Sequence, residues 1–370
     1  AVMIAGLSSC GGSDDESGTK LKIVQQYGMA YAPFKIMQEK KLIEKYYDGV
    51  EIEWSVLNSG QAINEGFASG DVDIGAMGLA PVITGVTSGV PYKICSGVSA
   101  QPNRLMTSSK KVKSLKDIGK KKIALVNIGS IQHIILAMAA EKELGDAHAL
   151  DHNIVAMSHP DGMSALLSGS VECQLTTSPY VYKEATDDSI HEVEGVAGAW
   201  PDGNSFIVAV ASTSLKEKDP ELYDAFIKAL AEAIDYINNN KEEVAQMLCA
   251  EEGVDAETML EWLNDPACVY SAKTKGVLYM ADFMEKNGFL ENGGVESLSD
   301  LIVYQMQAFP ELLFPSLKEI GSSFVTGFKD NSLLEYTLYS MSLIVKGMGI
   351  AVVLAFVFSG VAVVCKVFHS

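Results

Sequence analysis

Three short turns in this chain carry the residue types that hold an oxyanion through the backbone. "NSGQ" (Asn58 to Gln61), "GAMGLAP" (Gly75 to Pro81, with Met77 and Gly78) and "NIGSIQ" (Asn127 to Gln132, with Gly129) each place small residues before a helix-like run. The first N–H groups of a helix lack intrahelical partners and sit at the positive end of its dipole, so such turns attract negative charge. Glycine at Gly60, Gly75, Gly78 and Gly129 lets the backbone come close, and Asn58, Ser59, Gln61, Ser130 and Thr177 read either as added side-chain donors or simply as helix caps. His159 in "SHPDG" opens a further helix and reads either as a ligand contact or as a turn residue. His148 and His152 in "HALDH" could share a helix face, but no third ligand accompanies them, so no metal site is assigned. The chain contains no G-x-x-x-x-G-K-[ST], no H-E-x-x-H and no paired C-x-x-C. Nothing therefore marks a catalytic residue or a cofactor.

Charge narrows the partners. The formal net charge of −19 excludes nucleic acid as an expected partner, because phosphate backbones need clustered cations. Arg104 is the one arginine, so an anionic ligand cannot be held by an arginine cluster and has to rely on local dipoles.

The elements that position these turns alternate. "LKIVQQ" reads as a strand, followed by an amphipathic helix from about Phe34 to Tyr47, the strand "EIEWSVL" and a helix from about Gly60; after Asn103 the pattern restarts with "KKIALV" and "IQHIILAMAAEKEL". Strands alternating with helices imply βαβ units and mostly parallel sheets. One stretch occurs twice: "FASGDVDIGAMGLAP" (Phe67 to Pro81) and "LLSGSVECQLTTSP" (Leu166 to Pro179). Each reads as a helix ended by Gly70 or Gly169, a short strand, a polar turn and a helix opened near Pro81 or Pro179. Two equivalent lobes follow from this. No third restart comes after "FIVAVAS" (Phe206 to Ser212), which implies that the chain returns to the first lobe and that two crossings form a hinge beside a ligand cleft.

Both ends carry membrane signals. "AVMIAGLSSCGGSDDESG" runs from apolar residues through Leu7, Ser8, Ser9 and Cys10 into a polar tether, the order of a lipoprotein signal in which Cys10 takes the lipid. "GMGIAVVLAFVFSGVAVV" (Gly347 to Val364) is uncharged and spans roughly 27 Å as a helix, enough to cross a bilayer.

With these features in place, Leu21 to about Asp300 resembles the substrate-binding lipoproteins of ABC importers, of the nitrate, taurine and alkanesulfonate type. The resemblance rests on "YAPFKIMQEKKLIEKYY", "NSGQAINEGFASGDVDIGAMGLAPVI", the "NIGS" turn and "SPYVYKEA". It implies an α/β, two-lobed type II periplasmic-binding fold with a hinge. The stretch from about Phe309 resembles the entry into a transmembrane helix of the partner permease. The expected organisation is a partial lipoprotein signal and tether (1–19), lobe 1 (20–105), lobe 2 (106–205), the return of lobe 1 (206–300), a permease-like linker (301–340) and a transmembrane helix (341–366). The resemblance implies a protein on the extracytoplasmic face of the cell membrane, no catalysis, and a permease with a separate ATPase subunit as partners. It leaves nitrate, taurine, alkanesulfonates, aromatic acids and thiamine-precursor pyrimidines open as ligands, with enzymes of the thiamine-pyrimidine synthase and chorismate-dehydratase types as the rival class. Tyr31, Tyr180 and Trp200 are expected to shape the organic part of the ligand. Cys249 ends one helix and Cys268 follows the next, so a disulfide between them is expected, whereas Cys95 and Cys173 sit in strand patterns as small buried hydrophobes.

Overall fold

Each copy of the repeat builds the same helix–strand–helix step, and the two steps lie in two different sheets. The computed structural model describes residues 19–201, 203–295 and 297–302. The chain divides into two compact units, 1–305 and 306–370, and the described residues all belong to the first. Its strands are β1 (Lys20–Gln25), β2 (Glu51–Val56), β3 (Ile74–Gly78), β4 (Tyr92–Ala100), β5 (Asn103–Thr107), β6 (Ile123–Leu125), β7 (Ile154–Ala156), β8 (Cys173–Thr177), β9 (His191–Glu192), β10 (Ile207–Ser212) and β11 (Val269–Tyr270). Its helices are α1 (Ala32–Lys40), α2 (Leu42–Tyr46), α3 (Gly60–Ser69), α4 (Leu79–Thr87), α5 (Ile131–Leu144), α6 (His159–Leu167), α7 (Tyr180–Ala185), α8 (Thr213–Lys218), α9 (Pro220–Asn239), α10 (Lys241–Glu252), α11 (Ala256–Leu263), α12 (Val277–Lys286) and α13 (Leu298–Leu301).

The first sheet runs β11-β4-β10-β3-β1-β2 and the second β7-β6-β8-β5-β9. Both contain the same core of three parallel strands closed by one antiparallel strand. In the first, β1 pairs parallel with β2 and β3, and β10 lies antiparallel beside β3. In the second, β6 pairs parallel with β7 and β8, and β5 lies antiparallel beside β8. The antiparallel strand is in each case the one on which the chain arrives from the other sheet. The repeat thus maps α3–β3–α4 onto α6–β8–α7. Gly70 and Gly169 both adopt left-handed backbone at the helix ends, with φ of +80° and +74°.

Strands inside a sheet that helices cover are buried on both faces, which is why β3 and β8, and the antiparallel β10 between β3 and β4, are buried along their whole length. The amphipathic run from Phe34 is broken where one helix was expected. Lys41 takes φ +50° and donates its N–H back to Gln38 and Met37, separating α1 from α2. The break lets Phe34, Ile36 and Met37 of α1 and Leu42 and Ile43 of α2 all reach the core, where Phe34 meets Trp54 and Phe226 edge to face.

The expected disulfide is not formed. Cys249 and Cys268 are both free thiols. Helices α10 and α11 do pack together, but Cys249 turns its thiol back along its own helix to the Gln246 carbonyl, and Cys268 is buried with its sulfur 3.7 Å from the Tyr270 hydroxyl. Adjacent helices do not suffice when the two side chains face different neighbours. Cys95 and Cys173 are fully buried in β4 and β8. The lipobox with Cys10, the linker beyond residue 302 and the transmembrane helix of 341–366 lie outside the described residues. Among the described residues, no helix is long and apolar enough to cross a membrane.

Candidate functional site

Four helix N-termini open onto one cleft between the two sheets. Those of α3 and α4 come from the first sheet's side, and those of α5 and α6 from the second's. Three are capped by serines: Ser59 accepts from the Ala62 N–H, Ser130 from His133 and Ser158 from Asp161. A serine cap satisfies one of several orphan donors, and the others are left to whatever occupies the cleft. Helix α4 begins at Gly78 and has no side-chain cap at all. The lining of the cleft contains Tyr31, Asn58, Gly60, Gly78, Ser130, His159 and Thr177. None of its lining residues is Asp, Glu, Lys or Arg, so the helix dipoles supply its electrostatics.

His159 sits where the second sheet's side meets this space. The Gln132 amide lies 3.1 Å from its Nε2, and its Nδ1 lies 3.1 Å from Thr176 Oγ1. With the Gln132 N–H donating to Nε2, the ring proton is on Nδ1 and is donated to the threonine. Tyr180 stacks on the ring at 5.6 Å between centroids and 21° between planes. Burial pushes the His159 pKa down to about 4, so the imidazole is neutral at physiological pH. Thr177 Oγ1 is buried without a hydrogen-bond partner among the described residues. A buried hydroxyl facing a cleft in this condition is an anchor in want of a ligand or a water.

The other expected site residues fall elsewhere. Ser59 lies behind the cleft as the α3 cap, and Gln61 is exposed and donates to Glu65. Gly75 is the close-approach point between β3 and α3, because a Cβ there would stand 2.8 Å from the Phe67 ring. Met77 is wholly buried in the core. Asn127 and Gly129 shape the turn ahead of α5: the Asn127 amide donates to the Ile128 carbonyl, and Gly129, at φ +83°, donates its N–H to His133 Nδ1. Tyr180 supports His159 from beneath. Trp200 is removed from the cleft and lines a separate small cavity beside Asn103 and Arg104, with its ring against Tyr279. Gly60 is tighter than the sequence implies, since a Cβ there would stand 2.5 Å from the Pro81 ring, and substitution would disturb the α3–α4 contact as well as the cleft.

His148 and His152 do not share a helix face, because residues 151–153 form a 3-10 turn. His148 bonds Asp151 through Nδ1 and the Asn287 carbonyl through Nε2, and these two acceptors, the carbonyl first, raise its pKa. Among the described residues, no group of three or more His, Cys, Asp or Glu is arranged to hold a metal ion.

Gln26, Tyr27, Gln132, Ser158, Phe206 and Ile207 also line the cleft and were missed. Gln26 and Tyr27 follow the C-terminal end of β1, the place where parallel sheets bind ligands, and Ser158 announces a cap three residues ahead of Asp161; these signals were available. Phe206 and Ile207 had none, because β10 reaches the cleft only by inserting between β3 and β4.

A family model described as the NMT1-like family matches residues 15–250. The taurine-binding periplasmic protein of Escherichia coli (strain K12) is 23% identical over 284 residues, covering 72% of this chain and 87% of that protein. The solved structure of the alkanesulfonate-binding protein from Xanthomonas axonopodis pv. citri bound to MOPS matches with a TM-score of 0.63 at 17% identity, covering 74% of this chain and 94% of that one. The periplasmic nitrate-binding protein of Synechocystis PCC 6803 gives a TM-score of 0.61 at 14% identity, with coverages of 81% and 92%. The structural likenesses carry the fold, an α/β periplasmic-binding fold with two sheets, and the model, spanning well over half of the sequence, carries the family: the chain belongs to the NMT1-like family.

Proposed function

We propose that this protein is the extracytoplasmic solute-binding component of an ABC importer, which captures a small anion or organic acid between two lobes and delivers it to a permease served by a separate ATPase. The observation that carries the reading is the unpartnered Thr177 hydroxyl in a cleft onto which the N-termini of α3, α4, α5 and α6 open. The names of the relatives, taurine-, alkanesulfonate- and nitrate-binding, point to the same class of ligand. The lining has no carboxylate to pair with an ammonium group, so the preferred ligand is an alkanesulfonate with a neutral tail rather than zwitterionic taurine. Binding proceeds without turnover. Lipidated Cys10 and the apolar run at 347–364 would hold the protein beside its permease.

A thermal-shift series with ethanesulfonate, taurine, nitrate and a thiamine-precursor pyrimidine tests this. Ethanesulfonate at a hundred times its Kd stabilises by about 2.7 kcal/mol. A shift with the pyrimidine alone would replace the anion reading.

A further inference from the structure

Residues 110–122, "KKVKSLKDIGKKK", hold seven lysines, a quarter of all Lys and Arg in the chain, within a sequence that has no role in the cleft. With its single Asp117 the segment carries +6, so the rest of the chain carries −25. The segment is a fixed platform. Val112, Leu115 and Ile118 are buried to 2% exposure or less. Its carbonyls are tied down from neighbouring elements: Val112 by His191, Lys113 by the Glu194 N–H, and Gly119 and Lys121 by the Asn153 amide. With the apolar residues pinned inward, Lys110, Lys111, Lys113, Lys116, Lys120 and Lys122 are all exposed. Lys121 is half-buried and spent on the carbonyls of Asp117 and Ile118.

Elsewhere some lysines pair with carboxylates, as in Lys35 with Glu39 and Glu251, Lys45 with Glu232 and Lys183 with Glu252, and others such as Lys41, Lys218 and Lys228 stand singly among the described residues; what sets the segment apart is the density of its cations. Among the described residues, none of the six exposed lysines makes an ion pair. Nearby carboxylates offset the six lysines only in part: Asp117 is held by the N–H groups of Lys113 and Ser114, Glu172 by that of Lys122, Glu192 is paired with Arg104, and Glu194 lies beside Lys110 and Lys113, none of them forming an ion pair with the six.

We propose that this face docks on the anionic phospholipid headgroups of a bilayer and sets which side of the protein meets the membrane. Three features favour a lipid surface over an acidic protein. The cations are all lysine, compact charges suited to a diffuse field rather than to the bidentate pairing of arginine. No large hydrophobic residue of the segment is exposed, so the face lacks the buried anchors on which specific protein interfaces depend. The remaining −25 repels an anionic membrane, which favours an approach through this face.

The test is amine-modification mapping of the full chain in phosphatidylglycerol nanodiscs and in phosphatidylcholine nanodiscs. At low salt, the six exposed lysines are expected to react roughly threefold or more slowly in the anionic discs, with the difference lost at high salt, while Lys41, Lys218 and Lys228 react equally in both. Equal rates for the six lysines in the two discs, or protection that arises only when a partner protein is added, would overturn the proposal.

Discussion

Gly78 and Ile131 meet across the cleft so closely that a Cβ on Gly78 would stand 2.7 Å from Ile131 Cγ2. Gly78 ends β3 and opens α4 on one side, and Ile131 is the first residue of α5 on the other. A single methyl group at Gly78 therefore acts as a wedge between two helix N-termini that belong to different sheets. Gly78→Ala should lower ligand affinity about tenfold, near 1.4 kcal/mol, with a small change in Tm, because Gly78 keeps φ −57° and alanine fits that backbone. Calorimetry returning wild-type affinity would show that the two sides need not meet when ligand is bound.

Thr177 gives a sharper separation of folding from binding. Its hydroxyl is buried and unpartnered, so Thr177→Val removes an unsatisfied group while keeping the shape, and the unliganded protein should be as stable as wild type or slightly more so. A hydrogen bond to a charged ligand is worth about 1.5–3 kcal/mol, so anion affinity should fall roughly 10- to 100-fold. Loss of stability without loss of affinity would mean that the hydroxyl serves the fold alone.

His159 sets an acid dependence. Its folded-state pKa of about 4 leaves it neutral at pH 6 to 8, and anion affinity should be flat across that range. A bound anion favours the imidazolium and raises this pKa, so affinity should climb as pH falls through the bound-state value. His159→Gln should abolish the climb. Titrations of both forms between pH 8 and 4.5 decide the matter, and parallel profiles would remove His159 from the ligand's surroundings.

Glu184 on α7 is fully buried, neither carboxyl oxygen has a partner among the described residues, and burial pushes its pKa up to about 8. The folded state therefore holds a proton that the unfolded chain releases near pH 4.5, and stability falls as pH rises between these values. Glu184→Leu should raise the unfolding free energy at every pH and more at pH 9 than at pH 5, by on the order of 3 kcal/mol at the alkaline end, read by denaturant unfolding at the two pH values. An equal gain at both pH values would place an unseen counter-charge beside the carboxyl.

The turns at Ser59 and Ser130 and the glycine stops at Gly70 and Gly169 were legible because a cap is a bond between residues three or four apart, and its chemistry is written side by side in the chain. The repeat was legible for the same reason, since each copy is one local helix–strand–helix step. Only the tertiary structure decided which of those turns share a cleft. Phe206 and Ile207 enter it through the antiparallel insertion of β10 between β3 and β4, while Trp200, a few residues earlier, is carried to another cavity. Met77 and Gly75 look like cleft residues in the sequence, yet they lie in a strand covered on both faces, where Gly75 packs against Ile63 and Phe67 and Met77 is wholly buried in the core. The order of strands in a sheet joins residues more than a hundred positions apart, and no local propensity records that order.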